Sequence, residues 1–331
     1  MAKFEIKDGI AIIPRWQTII EVGAFRNCNE LRSIVIPSWV TEIQVQAFSR
    51  CQNLTSIEIP SSVTMIDSSA FTDCPRFSHI TISPDNSAYY SDGCNAIIER
   101  KSETLFIGCQ NSTIPSTVKI IGSRAFRGCT GLDSISIPDS VEEIKEEAFR
   151  GCKGLEKITI PDSVTKIGKS VFSGCTGLTR VILSNKIKEI PEMLFNGCTG
   201  IEGIGIPNSV KKIGNEAFRN CTSLHYVGIG KSVKEIGDDV FQNCTSLSGI
   251  VIPDSVKKIG AAFYECPNLR SVCIKDAKIL DNTGLNSGVK IINPLASEEE
   301  RMAWNKEEMD LAIEHTRLYL GPIEDSDTDD E

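Results

Sequence analysis

Apolar residues return at fixed intervals along this chain. Phe25, Phe48 and Phe71 are spaced by 23 residues, as are Phe126, Phe149, Phe172, Phe195, Phe218 and Phe241, and Phe263 follows one residue early. A cysteine stands three positions after every one, from Cys28 to Cys266. One period reads Leu132-x-x-Ile135-x-Ile137-Pro138-x-x-Val141-x-x-Ile144-x-x-x-Ala148-Phe149-x-x-Cys152, and the next opens at Leu155. The alternation in L-x-x-I-x-I predicts a short parallel strand with Ile135 and Ile137 facing inward. Pro138 lacks an amide donor and ends it. Val141 and Ile144 return the chain along a second face. The stretch Glu146–Arg150 is too short for a free-standing helix and predicts a helical turn, with Phe149 and Cys152 pointing inward and Gly151 reversing the chain. Such a unit cannot bury its apolar face alone, but stacked neighbours can, so the pattern predicts a solenoid.

Composition changes this picture in two places. The thirteen cysteines would suggest disulfides, yet ten of them occupy one repeat position. With coils about 4.8 Å apart they form a buried ladder of small apolar groups. A uniform ladder offers no unique pairing, and no C-x-x-C pair points to zinc. The formal charge of −9 is also uneven: 13 acids and 3 bases follow from Ser297, leaving 31 acids and 32 bases before it. A nearly neutral body argues against bulk nucleic-acid binding. No run of 18 apolar residues spans a membrane. The opening Met1-Ala2-Lys3-Phe4-Glu5 lacks the apolar stretch of a secretory signal.

The motif Ile160-Pro161-Asp162-Ser163-Val164, continuing through Phe172 and Cys175 to Leu178, resembles the BspA-like type of leucine-rich repeat, and the likeness runs over residues 13–292. The resemblance implies a leucine-rich-repeat solenoid: a right-handed arc with a parallel β-sheet on one face and short helical turns or loops on the other. It also implies macromolecular binding, since bacterial proteins of this type are commonly surface adhesins. Typical leucine-rich repeats carry Asn where this chain has Ser62, Ser140, Ser163, Ser209 and Ser255, so the usual Asn ladder is absent.

The array is expected over residues 13–293, behind an N-terminal cap at 1–12. Its period fails between Phe71 and Phe126, a gap of 55 residues. Within this segment (79–114) two apolar runs flank Lys101-Ser102-Glu103 and read as a β-hairpin, either a binding protrusion or a splice between two sub-arrays. After Pro294, Ser297-Glu298-Glu299-Glu300 is a capping-box pattern, predicting a C-terminal capping helix over 294–321. Met302, Met309, Ile313 and Leu320 would cover the last coil. Residues 322–331, with six acids in the last eight, predict a disordered acidic tail.

No catalytic constellation appears. His79, His225 and His315 are far apart, and no nucleophile elbow, Walker loop, H-E-x-x-H or dinucleotide fingerprint is present. The chain is expected not to be an enzyme and to need no cofactor or metal. Binding is the better prospect. The third and fifth positions of L-x-x-I-x-I point outward, and early in the array they are small or polar: Ser33, Ser56, Thr81, Ser134, Ser136 and Thr159. Later they become Arg180, Ile182, Gly203, Gly205, Tyr226, Gly228, Gly249 and Val251. Strand glycines often mark close approach by a ligand, and aromatics and arginine favour interfaces. Tyr226, with Ile182 and Val251, is expected to form an exposed anchor above a glycine floor; drift on an open face would leave the same pattern. A second candidate is the row Lys119, Lys188, Lys211, Lys234 and Lys257, interleaved with Glu143, Glu189 and Glu235.

The function expected is therefore a non-catalytic protein–protein interaction module, a scaffold or an adhesin. Its partner would be a protein or another macromolecule such as a surface glycoprotein. An acidic-tail chaperone or histone-type binder is the alternative, and a hydrolase is the class least favoured. Unpaired thiols and the missing export signal point to the cytoplasm; the family resemblance points to a cell surface or secretion.

Overall fold

The computed structural model describes residues 4–293. Most coils lay down two short strands and a turn, each stacking on its counterpart in the next coil; the strand expected around Ile135 and Ile137 is not formed, and that coil contributes only Glu143–Ile144.

The first wall is built from the L-x-x-I-x-I strands. It begins as an antiparallel hairpin, Glu5–Lys7 against Ile10–Ile12, and continues in parallel through Ser33–Val35, Ser56–Ile59 and His79–Ile82. Beyond the interruption it resumes in three groups. Lys157–Thr159 pairs with Arg180–Ile182, and Gly203–Gly205 with Tyr226–Gly228. Gly249–Val251 pairs with Ser271–Cys273, which pairs with Lys290–Ile292. Register follows the inward apolar residue: Ile34, Ile57 and Ile80 oppose one another, as do Ile204 and Val227, and all are buried. A one-residue slip would turn this whole set toward solvent.

The return half of the coil forms a second wall of two-residue parallel strands. Glu189–Ile190, Lys212–Ile213, Glu235–Ile236 and Lys258–Ile259 stack in register, with the isoleucines inward. Strands therefore occupy two faces, where the sequence pointed to one. The fold is a parallel-strand β-solenoid of about 12 turns.

The third edge corrects the sequence reading more sharply. The A-F-x-x-C stretch is not a helical turn; among the described residues the helical segment is a short 3-10 turn at Ala277–Leu280. A helix would spend its amides within itself, whereas here they alternate. Ala148, Arg150 and Cys152 donate to carbonyls three residues back. Phe126 and Gly128 instead donate across to Ala148 O (2.7 Å) and Arg150 O (2.8 Å) of the next coil. Left-handed residues on both sides of the Phe enforce this path, as at Glu147 (φ 55°) and Gly151 (φ 74°). No helix tolerates that alternation. The expected capping helix at 294–321 and the acidic tail at 322–331 lie outside the described residues.

The core is a pair of ring stacks with a thiol column beside them. Phe4, Phe25, Phe48, Phe71 and Phe77 stack at centroid distances of 4.6–5.2 Å. Phe126 through Phe263 stack at 5.0–5.8 Å. The cysteine position has a reason beyond size. In Cys51, Cys74, Cys152, Cys175, Cys198, Cys221, Cys244 and Cys266 the thiol donates to the carbonyl of the previous coil's Phe, at 3.0–3.2 Å. All thirteen cysteines are free thiols. Serine takes over part of the missing Asn ladder: Ser62 and Ser255 donate to Val40 O and Val233 O, each at 2.7 Å. The hydroxyls of Ser140, Ser163 and Ser209 are buried without a partner.

The interruption is spliced into the second wall. Ile97–Glu99 pairs antiparallel with both Tyr89–Tyr90 and Thr104–Ile107, and Thr104–Ile107 then runs parallel to Ile120–Ile121. The first ring stack ends on Phe77, and Gly108 lies so close to Phe126 that a Cβ would not fit. At the turn edge the two sub-arrays still touch, Asp73 N donating to Arg127 O at 3.0 Å.

Candidate functional site

The alternation of the first wall carries all eight candidate residues onto its outer side, in two columns. Arg180, Gly203, Tyr226 and Gly249 form one; Ile182, Gly205, Gly228 and Val251 form the other. Gly203 opposes Tyr226 and Gly205 opposes Gly228 in the ladder. The structure thus brings the set together as one strip.

Tyr226 does not stand up from it, and this corrects the expected anchor. It is only 8% exposed, with its hydroxyl beside Gly228 of its own strand. A Cβ at Gly228 would come 2.7 Å from Tyr226 Oη, so the glycine is what lets the ring lie flat. Ser271 covers Gly249 in a similar way, its Oγ lying 3.0 Å from where a Cβ would be. The exposed groups are Ile182 (46%) and Val251 (49%), with Arg180 beside Ile182. Two glycine-bearing coils separate the two aliphatics, about 15 Å from end to end at the usual strand spacing. The strip is a shallow apolar trough with raised rims.

Its chemistry is that of contact. The histidines are not assembled: His79 opens the strand His79–Ile82, with Nδ1 2.9 Å from Ser78 Oγ, while His225 lies just before Tyr226–Gly228 in the other sub-array. His315 lies outside the described residues. Burial pushes the Cys175 and Cys221 thiols up to about 12 and so holds these two protonated. Among the described residues no group of three or more His, Cys, Asp or Glu is placed to hold a metal. Nor is any helix there long and apolar enough to cross a membrane.

The lysine row resolves into a ladder of neighbours. Lys211 N donates to Lys188 O, Lys234 N to Lys211 O and Lys257 N to Lys234 O, each at 2.8 Å. On the adjacent column of the second wall, charges alternate across strands as Glu189, Lys212, Glu235 and Lys258. Glu235 accepts from Lys258 at 3.0 Å and faces Lys212 at 3.8 Å. Opposite charges facing one another across strands support the stack more than they attract a partner.

Sequence reasoning missed two features. Ile10 (49%), Ile12 (47%) and Val35 (56%) are exposed on the first wall; the two isoleucines were hidden because residues 1–12 were assigned to a cap, and Val35 departs from the small or polar run expected early in the array. The signal was available: in Ile10-Ala11-Ile12-Ile13, Ala11 and Ile13 are the buried pair. The second is a cleft of about 700 Å³ where the interruption breaks the first wall. It is lined by Ile80–Pro84 on one side and by Tyr90, Asp92, Asn95 and Arg100 on the other. Asn95 Oδ1 accepts from Ile80 N at 2.8 Å, and the Arg100 guanidinium sits 5.0 Å from the Tyr90 ring centroid.

Comparison with known proteins agrees with this geometry. The sequence profile of the BspA type leucine rich repeat region matches residues 10–97, 101–225 and 188–284, in six copies. The chain belongs to that family. Leucine-rich-repeat solenoids of this kind are typically non-catalytic. Among solved structures, a leucine-rich repeat protein from Eubacterium ventriosum ATCC 27560 is similar at 23% identity and a TM-score of 0.61, over 75% of this chain and 79% of that one. A leucine-rich repeat protein from Bacteroides ovatus ATCC 8483 is similar at 27% identity and 0.54, over 87% of this chain but only 62% of that one. The pneumococcal vaccine antigen PcpA shares the fold at 17% identity and 0.53, over 81% and 69%. No curated protein matches the sequence.

Proposed function

We propose that this BspA-type solenoid is a non-catalytic protein-binding module, and that its partner seats on the first-wall trough between Ile182 and Val251. The observation that carries the reading is the trough itself: two half-exposed aliphatic rims over a floor of glycine and a flattened tyrosine. Apart from Arg180 at one rim, the face carries little charge and few mobile side chains, and so loses little entropy when covered. Leucine-rich repeats suggest a protein-interaction or surface repeat scaffold, which supports the same reading. The thirteen free thiols favour a reducing compartment, hence a scaffold inside the cell over an exported adhesin.

The rims are the residues to test. Both are half exposed, so Ile182→Asp with Val251→Asp leaves stability within about 0.5 kcal/mol, as for other surface substitutions. Partner captured by the immobilised wild-type chain should be lost from the double variant. Equal capture by both would overturn the reading. Gly228→Arg is a poorer probe, because it displaces Tyr226 and perturbs the fold.

A further inference from the structure

Where the two sub-arrays meet at the turn edge, residues far apart in sequence face one another. Arg50 and Asp73 come from the first sub-array, Arg124 and Arg127 from the second, and between them opens a pocket of about 290 Å³. Its ion pairs are unevenly matched. Glu147 accepts from Arg124 Nε (2.7 Å), from an Arg127 terminal nitrogen (2.7 Å) and from Arg150. Glu146 is 3.7 Å from Arg124 and 3.9 Å from Lys169. Asp73 stands 3.7 Å from Arg127 Nε and 4.0 Å from Arg50 Nε, too far for hydrogen bonds. Five cations thus face three carboxylates in one connected network, within an array that is otherwise close to neutral.

One donor is left over. Arg127 Nε is buried and has no acceptor, a costly condition for a group bearing charge. The hydroxyls of Ser49 and Thr72 in the pocket bond to each other at 3.1 Å, so recognition falls to the guanidinium groups. Asp67 is engaged by the Ser69 amide at 2.8 Å and by its hydroxyl.

We propose that this pocket binds a phosphoryl oxyanion, free or esterified. Guanidinium forks match phosphate oxygens in geometry and charge, and an anion with several acceptor oxygens can serve three arginines at once. Asp73 is the group it competes with. The site is separate from the trough and stands whether or not the trough binds a partner.

Calorimetric titration of the full chain with inorganic phosphate, at constant ionic strength against chloride, tests it. Arg50→Gln and Arg127→Gln should each weaken binding about tenfold or more, the usual loss when a charged hydrogen bond is removed. Asp73→Asn should tighten it, and Lys234→Gln, in the exposed lysine row, should change nothing. Arg50 is half exposed, so its variant remains informative even if Arg127→Gln fails to fold. A second arm with O-phosphoserine separates the sources: tighter binding than phosphate indicates an ester, weaker or equal binding the free ion. No heat above the chloride control in either arm overturns the proposal. So does an Arg50→Gln variant that titrates like the wild type.

Discussion

Replacing Phe195 with alanine removes the central ring of the stack that runs from Phe126 to Phe263. Phe195 is fully buried and has a ring on each side, Phe172 at 5.6 Å and Phe218 at 5.5 Å. Truncating a large core aromatic costs about 3–5 kcal/mol in lost burial and residual cavity. Loss of two ring contacts places Phe195 at the upper end of that range. Phe263 is the internal control. It is equally buried but among the described residues stacks on one ring, Phe241 at 5.6 Å, so its truncation should cost less by about one ring contact, roughly 0.5–1.5 kcal/mol. Urea unfolding followed by far-ultraviolet circular dichroism gives both numbers. Because coils touch only their neighbours, the central gap should also lower cooperativity and flatten the transition. A loss below about 1 kcal/mol at Phe195, or a larger loss at Phe263, would refute the stack as the source of stability.

Three further outcomes follow from the same geometry. Burial raises the Cys175 and Cys221 thiols from an ordinary 9.0 to about 12, so their contribution is complete below pH 9 and is lost as pH rises toward 12; the melting temperature should fall across that window. A flat profile there would contradict a buried thiol column. Burial pushes the Glu147 carboxyl up, but Arg150, Arg127 and Arg124 outweigh it and hold the group below its ordinary 4.5. Its stabilisation is therefore present above pH 4.5 and lost on acidification, and Glu147→Gln should be destabilising at pH 7 and nearly neutral in strong acid, read from melting curves at both pH values. Ser255→Ala, which deletes a hydroxyl bonded at 2.7 Å, should cost about 1 kcal/mol, whereas Ser163→Ala, which deletes an unpartnered one, should be neutral or stabilising by urea titration.

Much of the architecture was legible because each coil repeats one solution to the same packing problem. The 23-residue spacing of Phe and Cys encodes stacking directly, and the alternation in Leu132–Ile137 encodes an inward and an outward side. The turn was misread for a physical reason: Glu146–Arg150 contains good helix formers, and its left-handed positions carry Glu, Ser or Met as well as glycine. Glu147, Ser170 and Met193 all adopt positive φ, held there by amide bonds to the next coil that no single-coil reading can see. The trough was found from its glycines, but the burial of Tyr226 leaves no mark in the alternation of its own strand. Only the structure tells that its ring lies over Gly228. The arginine pocket was invisible, since Arg50 and Arg127 belong to sub-arrays brought together across an interruption of the period.

Site-specific photo-crosslinking tests the central claim most directly. A benzophenone side chain at position 182 or 251 lies on the rim of the trough, and one at position 234 lies on the lysine row of the second wall. The account expects partner adducts from 182 and 251 and none from 234. Adducts from 234 with none from the trough would contradict it.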